Sequence, residues 1–297
     1  MAVGPIPEWF RRALDNVPDE GEVEVDGVTI HYLAWGPPDR PGLMLVHGGA
    51  AHAHWWSHVA PQFSEDYRVV ALDLSGHGDS GRRDAYPMAT WSAEIMAVVE
   101  AAMIAGPPIV VGHSMGGFVT LATAASYDDR LAGAIIIDSP VFREDPEVEE
   151  ARLGTSFKPP RTYPDAEHMV GRFRTVPEQE HYLPYVMEHV ARKSIVATEG
   201  GFTWKFDARI FQARRHEVVE FLSGITCRVA LFRAEHGLAT AEVGAYMYEQ
   251  LGRVAPVVLI PEAGHHVMLD QPLLLVTAIR TLLADWEHST PHQRYDS

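Results

Sequence analysis

Two short stretches of this chain place residue types where they can do nucleophilic chemistry. The first is Gly112-His113-Ser114-Met115-Gly116-Gly117, a G-x-S-x-G pattern that follows the apolar run 109–111 and leads into an apolar stretch of helical character. Glycines at 112 and 116 permit the tight strand-to-helix turn that lifts a serine hydroxyl clear of a sheet. An ordinary glycine-rich turn is the alternative reading. A serine hydroxyl needs a base to attack a carbonyl carbon, and Pro261-Glu262-Ala263-Gly264-His265-His266 supplies a histidine on a loop after the last apolar run. His265 is the candidate base and His266 its bland neighbour. Attack on a carbonyl also needs N–H donors for the developing oxyanion. The amide of Met115, next to the serine, is one candidate. Gly49 in His47-Gly48-Gly49-Ala50 is the other, with Ala50 as its alternative.

These loops must be carried by a scaffold that brings their ends together. The runs 43–46, 69–72, 109–111, 134–137, 229–232 and 257–260 are short and almost wholly apolar, without period-two alternation. Strands of that kind are covered on both faces, as in a parallel sheet. Helical stretches at 90–105, 115–126, 241–251 and 272–286 separate them, with Thr90 as expected N-cap and Pro272 in a first turn. Asp26-Gly27 between 23–25 and 29–34 predicts an antiparallel hairpin ahead of this alternation. The expected architecture is therefore a doubly wound α/β sheet with an N-terminal hairpin. Residues 141–223 break the rhythm: prolines cut them into short helices or loops rich in aromatics, read as an insertion over one end of the sheet.

In this order, the hairpin, His47-Gly48-Gly49, Asp73-Leu74-Ser75-Gly76-His77-Gly78-Asp79-Ser80, the Ser114 turn and Ala263-Gly264-His265-His266 resemble the α/β-hydrolase fold family. The resemblance implies a core at 1–140 and 224–288, a mainly helical cap at 141–223 and a polar tail at 289–297. It also implies a serine hydrolase that cleaves a small carboxylic ester, a lactone or a carbon–carbon bond with the same residues. A ligand-binding receptor on the same fold is the reading from another class. A serine at 114 argues against relatives that require a carboxylate there. The third member of a triad is where this sequence departs from the family. The acid usually ends the turn after the penultimate strand, and here Gly237 stands in that place. Asp138, at the end of 134–137, is the favoured candidate to orient His265, with Glu235 as its alternative.

Composition bounds the alternatives. With 24 Lys+Arg against 40 Asp+Glu, the 297-residue chain carries a formal charge of −16, so it lacks the basic field that nucleic-acid binding uses. The one cysteine, Cys227, cannot form an internal disulfide or a cysteine-ligated metal site. No leader and no apolar run long enough to span a bilayer is legible, so a cytoplasmic protein without membrane contact is expected. Gly76-His77-Gly78-Asp79-Ser80-Gly81 matches a dinucleotide-binding pattern, but Arg82-Arg83-Asp84 follows where a helix should start. His47, His52, His54 and His58 lack metal-ligand spacing. The expectation is no cofactor, no metal, and a small-molecule ester or lactone as partner. Trp55, Trp56 and Trp204 are candidate pocket walls, with core packing an equal reading for the first two. Glu147, Glu149 and Glu150 read as a solvated helix face.

Overall fold

The structure, a computed structural model, describes residues 6–142, 160–212 and 217–289. Glu147, Glu149 and Glu150, part of the expected cap and residues 290–297 of the expected tail lie outside them. The described chain begins with helix α1 (Glu8–Asp15), whose Phe10 and Ala13 are buried. Strands β1 (Asp19–Val25) and β2 (Val28–Trp35) form the hairpin. Asp26 and Gly27 both have positive φ, 48° and 75°, as its two-residue turn requires. Strands β3 (Pro41–Val46) and β4 (Arg68–Leu72), helix α2 (Met88–Ala101), strand β5 (Ala105–His113), helix α3 (Met115–Ser126) and strand β6 (Gly133–Ile137) follow. The insertion holds helices α4 (Ala166–Arg172) and α5 (Pro184–Lys193), strands β7 (Ile195–Thr198) and β8 (Gly201–Trp204), and helix α6 (Glu217–Phe221). Strand β9 (Arg228–His236), helix α7 (Ala241–Gln250), strand β10 (Val257–Gly264) and helices α8 (Val267–Asp270) and α9 (Pro272–His288) complete it.

Three local expectations need correction. Helix α2 starts at Met88 with Pro87 as its N-cap, and Thr90 lies inside the first turn. The Pro87 carbonyl accepts from Thr90 N and Trp91 N, so the proline sets the helix start. The insertion is not only helices and loops, because β7 and β8 pair antiparallel within it. Its last segment is also less separate than expected: Val218, Val219 and Leu222, before residue 224, join the apolar cluster that contains Phe118 and Leu121 of α3.

The sheet has eight strands in the order β1-β2-β4-β3-β5-β6-β9-β10, parallel from β4 to β10. Each inner strand divides its side chains between two cores. Met44 and Val46 of β3 face the cluster under α2 and α3, whereas Leu43 and Leu45 face the cluster under α9. Val70 and Leu72 separate from Val69 and Ala71 in the same way. An apolar run without alternation is thus explained by burial on both sides. Among the described residues, no helix is long and apolar enough to cross a membrane.

Register positions the chemistry. His113 pairs with Ile137, and Ile137 with Phe232, so Ser114 and Asp138 leave the sheet side by side at its C-terminal edge. Gly264 pairs with His236 at the end of β10, which brings His265 to the same edge. After β3 the chain turns to one side for β4 and to the other for β5. The crevice at such a reversal is where open α/β sheets bind ligands.

Candidate active site

Ser114 takes φ 54° and ψ −119°, a left-handed conformation unusual for a residue with a side chain. The glycines around it are dictated by close approach. A Cβ on Gly112 would lie 2.3 Å from the Gly116 carbonyl oxygen, and one on Gly116 would lie 2.4 Å from the His47 carbonyl oxygen. The turn is held by Ser114 N donating to Ile137 O (3.0 Å) and Gly117 N donating to Ser114 O (3.0 Å).

Ser114 Oγ lies 2.9 Å from His265 Nε2, and His265 Nδ1 lies 2.7 Å from Asp138 Oδ2. His265 is 4% exposed and Asp138 fully buried. Three further donors converge on that carboxylate: Leu238 N at 2.7 Å and Ala234 N and Ala239 N at 3.2 Å. A carboxylate surrounded by donors is an acceptor, so His265 Nδ1 carries the proton and donates it. His265 Nε2 is left with its lone pair toward the serine hydroxyl. Glu235 is exposed and accepts from Glu262 N instead. The geometry brings Asp138, not Glu235, to His265. Gly237 has a physical reason too: a Cβ there would stand 2.2 Å from Asp138 Oδ2. The carboxylate reaching across from β6 fills the space that an aspartate at 237 would use.

The candidate oxyanion donors sit beside this chain. Met115 begins α3, where an N–H has no partner within the helix. A Cβ on Gly49 would lie 3.7 Å from Met115 Sδ and 3.4 Å from the Phe211 ring, so the two donor segments face each other. Among the described residues, neither Gly49 N nor Ala50 N donates to a backbone acceptor. His47 Nε2 accepts from Leu74 N at 3.1 Å, so its Nδ1 donates to Gly48 O at 2.7 Å. Burial holds this imidazole neutral, below its ordinary pKa.

The family model for the α/β-hydrolase fold matches residues 41–166. Esterase Rv0045c of Mycobacterium tuberculosis is 24% identical over 287 residues, covering 94% of this chain and 90% of that protein. Lipase LipV of the same organism is 26% identical, with coverage of 86% and 98%. The thioesterase domain from the curacin biosynthetic pathway superposes with a TM-score of 0.75 at 25% identity, covering 89% of this chain and all of that domain. The chain has the α/β-hydrolase fold.

Other residues of the chain acquire positions that sequence reasoning missed. His113, directly before the serine, has Nε2 2.8 Å from the His265 carbonyl oxygen and donates there, fixing the loop from behind. Gln179 of the insertion accepts from His266 N at 2.8 Å. The only signal for either was adjacency to a motif or a polar residue in a proline-rich stretch. One ring nitrogen from each of His113, His265 and His266 falls within 4.8 Å of the others, but Ser114 and Asp138 engage both nitrogens of His265. His47, His52, His54 and His58 each turn to a separate partner: Gly48 O, Ser194 Oγ, Ser57 Oγ and Met268 O.

The three tryptophans part company. Trp55 is buried against His266 and Phe173, at ring separations of 5.3 and 6.4 Å. Trp204 is half-buried and meets the other side of this group, 5.6 Å from Phe173. Trp56 is 0% exposed among Val59, Phe63 and their neighbours in the core under α9, so it packs rather than walls a pocket. A cavity of about 540 Å3 lies in the insertion, lined by Phe173, Tyr182 and Met187 and by Arg174, Glu178 and Glu188; Ser114 is not among its lining residues.

Asp270 Oδ2 accepts from Gly264 N at 2.6 Å, next to His265. Burial pushes its carboxyl from the ordinary 3.8 up to about 6. A carboxyl with a higher pKa folded than unfolded favours the folded state when protonated. That contribution is full below 3.8 and lost as pH rises through about 6. Asp270→Asn keeps an acceptor for Gly264 N and removes the titration. The Tm difference, variant minus wild type, is expected to increase from about pH 4 to about pH 7. Thermal melts across that range check it, and a pH-independent difference would contradict it.

Proposed function

We propose that this α/β hydrolase is a serine esterase that cleaves small carboxylic esters through an acyl-enzyme. The hydrogen-bonded chain from Ser114 Oγ through His265 to Asp138 is the observation that carries this reading. Ser114 Oγ bonds to the carbonyl carbon while its proton passes to His265 Nε2. The amides of Met115 and Gly49 hold the oxyanion, and His265 returns the proton to the departing alkoxide as the acyl–oxygen bond breaks. Water then attacks the acyl-enzyme with His265 again as base, releasing the acid and restoring Ser114. Asp138 orients the ring and stabilises the imidazolium.

The esterase and lipase names of the two mycobacterial relatives support ester chemistry. The described residues of 141–223 act in this reading as a cap over the edge of the sheet that carries Ser114, with Phe173 of the cap meeting both Trp204 of the cap and Trp55 of the core side. The net charge of −16 favours neutral substrates. Arg174 and Arg192 of the cap are paired with Glu178, Glu167 and Glu188 rather than free to meet an anion. The test is a fluorophosphonate label located by peptide mass, with turnover of a panel of p-nitrophenyl esters, lactones and diketones. Labelling at Ser114 with esters fastest is the expected result. Absence of labelling overturns the reading, labelling without turnover points to a receptor, and preference for lactone or diketone reassigns the scissile bond.

A further inference from the structure

The loop that offers Gly49 and Ala50 is anchored from both ends, and one anchor runs through the insertion. At its start, Gly48 O accepts from His47 Nδ1. At its end stands His52, 2% exposed, with Nε2 2.8 Å from Ser194 Oγ across 142 residues of chain. The Ser194 hydroxyl donates to Val190 O at 2.8 Å, so its oxygen is left to accept. His52 therefore donates from Nε2, in a neutral ring that burial keeps well below its ordinary pKa.

The neighbouring residue closes a ring. Ala53 N donates to Asp73 Oδ1 at 2.6 Å, and Asp73 Oδ2 accepts from Asp79 N at 2.9 Å. The Asp79 carboxylate meets Lys205 Nζ at 2.6 Å, and Lys205 N donates to the Ser194 carbonyl at 2.9 Å. Ser194 then returns to His52. Gly78 N donates to Lys205 O at 2.8 Å, which binds the insertion to the loop after β4 beside the same ring. Between the anchors, Ala50 has φ 58°, and Ala51 N donating to Gly48 O at 3.2 Å is the local backbone bond. The direction of the Gly49 and Ala50 amides is thus set by where the anchors hold the loop.

We propose that His52 is a positioning residue whose bond to Ser194, closed through Lys205, Asp79 and Asp73, makes seating of the cap set the alignment of the oxyanion donors. The inference rests on the esterase reading. It makes Ser194 and Lys205, which lie in the insertion, determinants of turnover. Oxyanion stabilisation depends on donors already aimed before charge develops, so a loosened loop lowers kcat more than it changes KM.

The test compares wild type with His52→Leu, His52→Gln, Ser194→Ala and Lys205→Met. The readouts are kcat and KM per fluorophosphonate-labelled site, and inhibition by a trifluoromethyl ketone that forms a tetrahedral adduct. His52→Leu is expected to lower kcat by roughly 10- to 50-fold and to weaken the ketone in parallel, with KM within about 2-fold. His52→Gln, which keeps an N–H donor at that reach, is expected to recover most of the loss. Ser194→Ala combined with His52→Leu is expected to add little to the loss from His52→Leu alone. Lys205→Met breaks a contact near the surface and is expected to cost about 3-fold in kcat; it keeps the test open if the His52→Leu variant fails to fold. Unchanged kcat per labelled site in the folded variants overturns the inference, as does a His52→Gln variant no better than His52→Leu. Wild type that neither labels nor turns over esters overturns the esterase reading itself, and this inference with it.

Discussion

Ser114→Ala is expected to lower kcat for a p-nitrophenyl ester by about 10^6-fold, with loss of fluorophosphonate labelling. The variant removes the oxygen that, in the proposed mechanism, bonds to substrate carbon, and leaves His265 and Asp138 in place. His265→Ala is expected to fall by a similar factor, because a serine hydroxyl without a base is a weak nucleophile. The double variant is expected to be no slower than either single one, since the two groups act as a unit. Steady-state kinetics with mass spectrometry of the labelled peptide check all three. Appreciable turnover by Ser114→Ala would move the chemistry off this residue. Separate, multiplying losses would mean that Ser114 and His265 do not act together.

The second large effect concerns the acid. Asp138→Asn is expected to lower kcat by about 10^4-fold while the protein stays folded. The amide nitrogen of asparagine donates where the carboxylate accepted, so His265 is driven to the tautomer with its proton on Nε2. In that form it cannot receive the serine proton. The three backbone donors from Ala234, Leu238 and Ala239 also converge on this group, so a melt must accompany the kinetics. Gly237 provides an independent route to the same result. A Cβ 2.2 Å from Asp138 Oδ2 must displace the carboxylate, and Gly237→Ala is expected to cost on the order of 10^2-fold in kcat through misplacement alone. Glu235→Gln is expected to stay within about 2-fold of wild type, because its carboxylate holds Glu262 N rather than His265. A large loss at Glu235 with little at Asp138 would reverse the assignment.

The parts of the fold and the candidate site legible in the sequence are those encoded over a few consecutive residues. The doubly buried strands announce themselves as unbroken apolar runs, and helix α3 is bounded as expected at Met115–Ser126. The Gly-x-Ser-x-Gly turn is legible because the backbones crowd so closely at 112 and 116 that a Cβ is excluded. His265 follows from its place after the last strand. Helix α1 escaped because its eight residues bury only Phe10 and Ala13, too few apolar positions to show a helical period. The hairpin β7–β8 escaped because its side chains are partly exposed and carry no buried-strand run.

What tertiary structure decided is what depends on neighbours distant in sequence. Local pattern favours Asp138 over Glu235 without separating them, because each ends or follows a strand near the same edge. The separation comes from β6 and β9 lying side by side, so that the carboxylate of one fills the gap left by glycine on the other. The same holds for Trp55 and Trp56, adjacent in sequence and both buried in the core under α9, where Trp55 also meets the His266 ring. It holds too for His52, whose partner Ser194 stands 142 residues away. Short-range sterics write themselves into residue type and spacing. Which side chain reaches another across the sheet is set by strand order and register, and those exist only once the chain has folded.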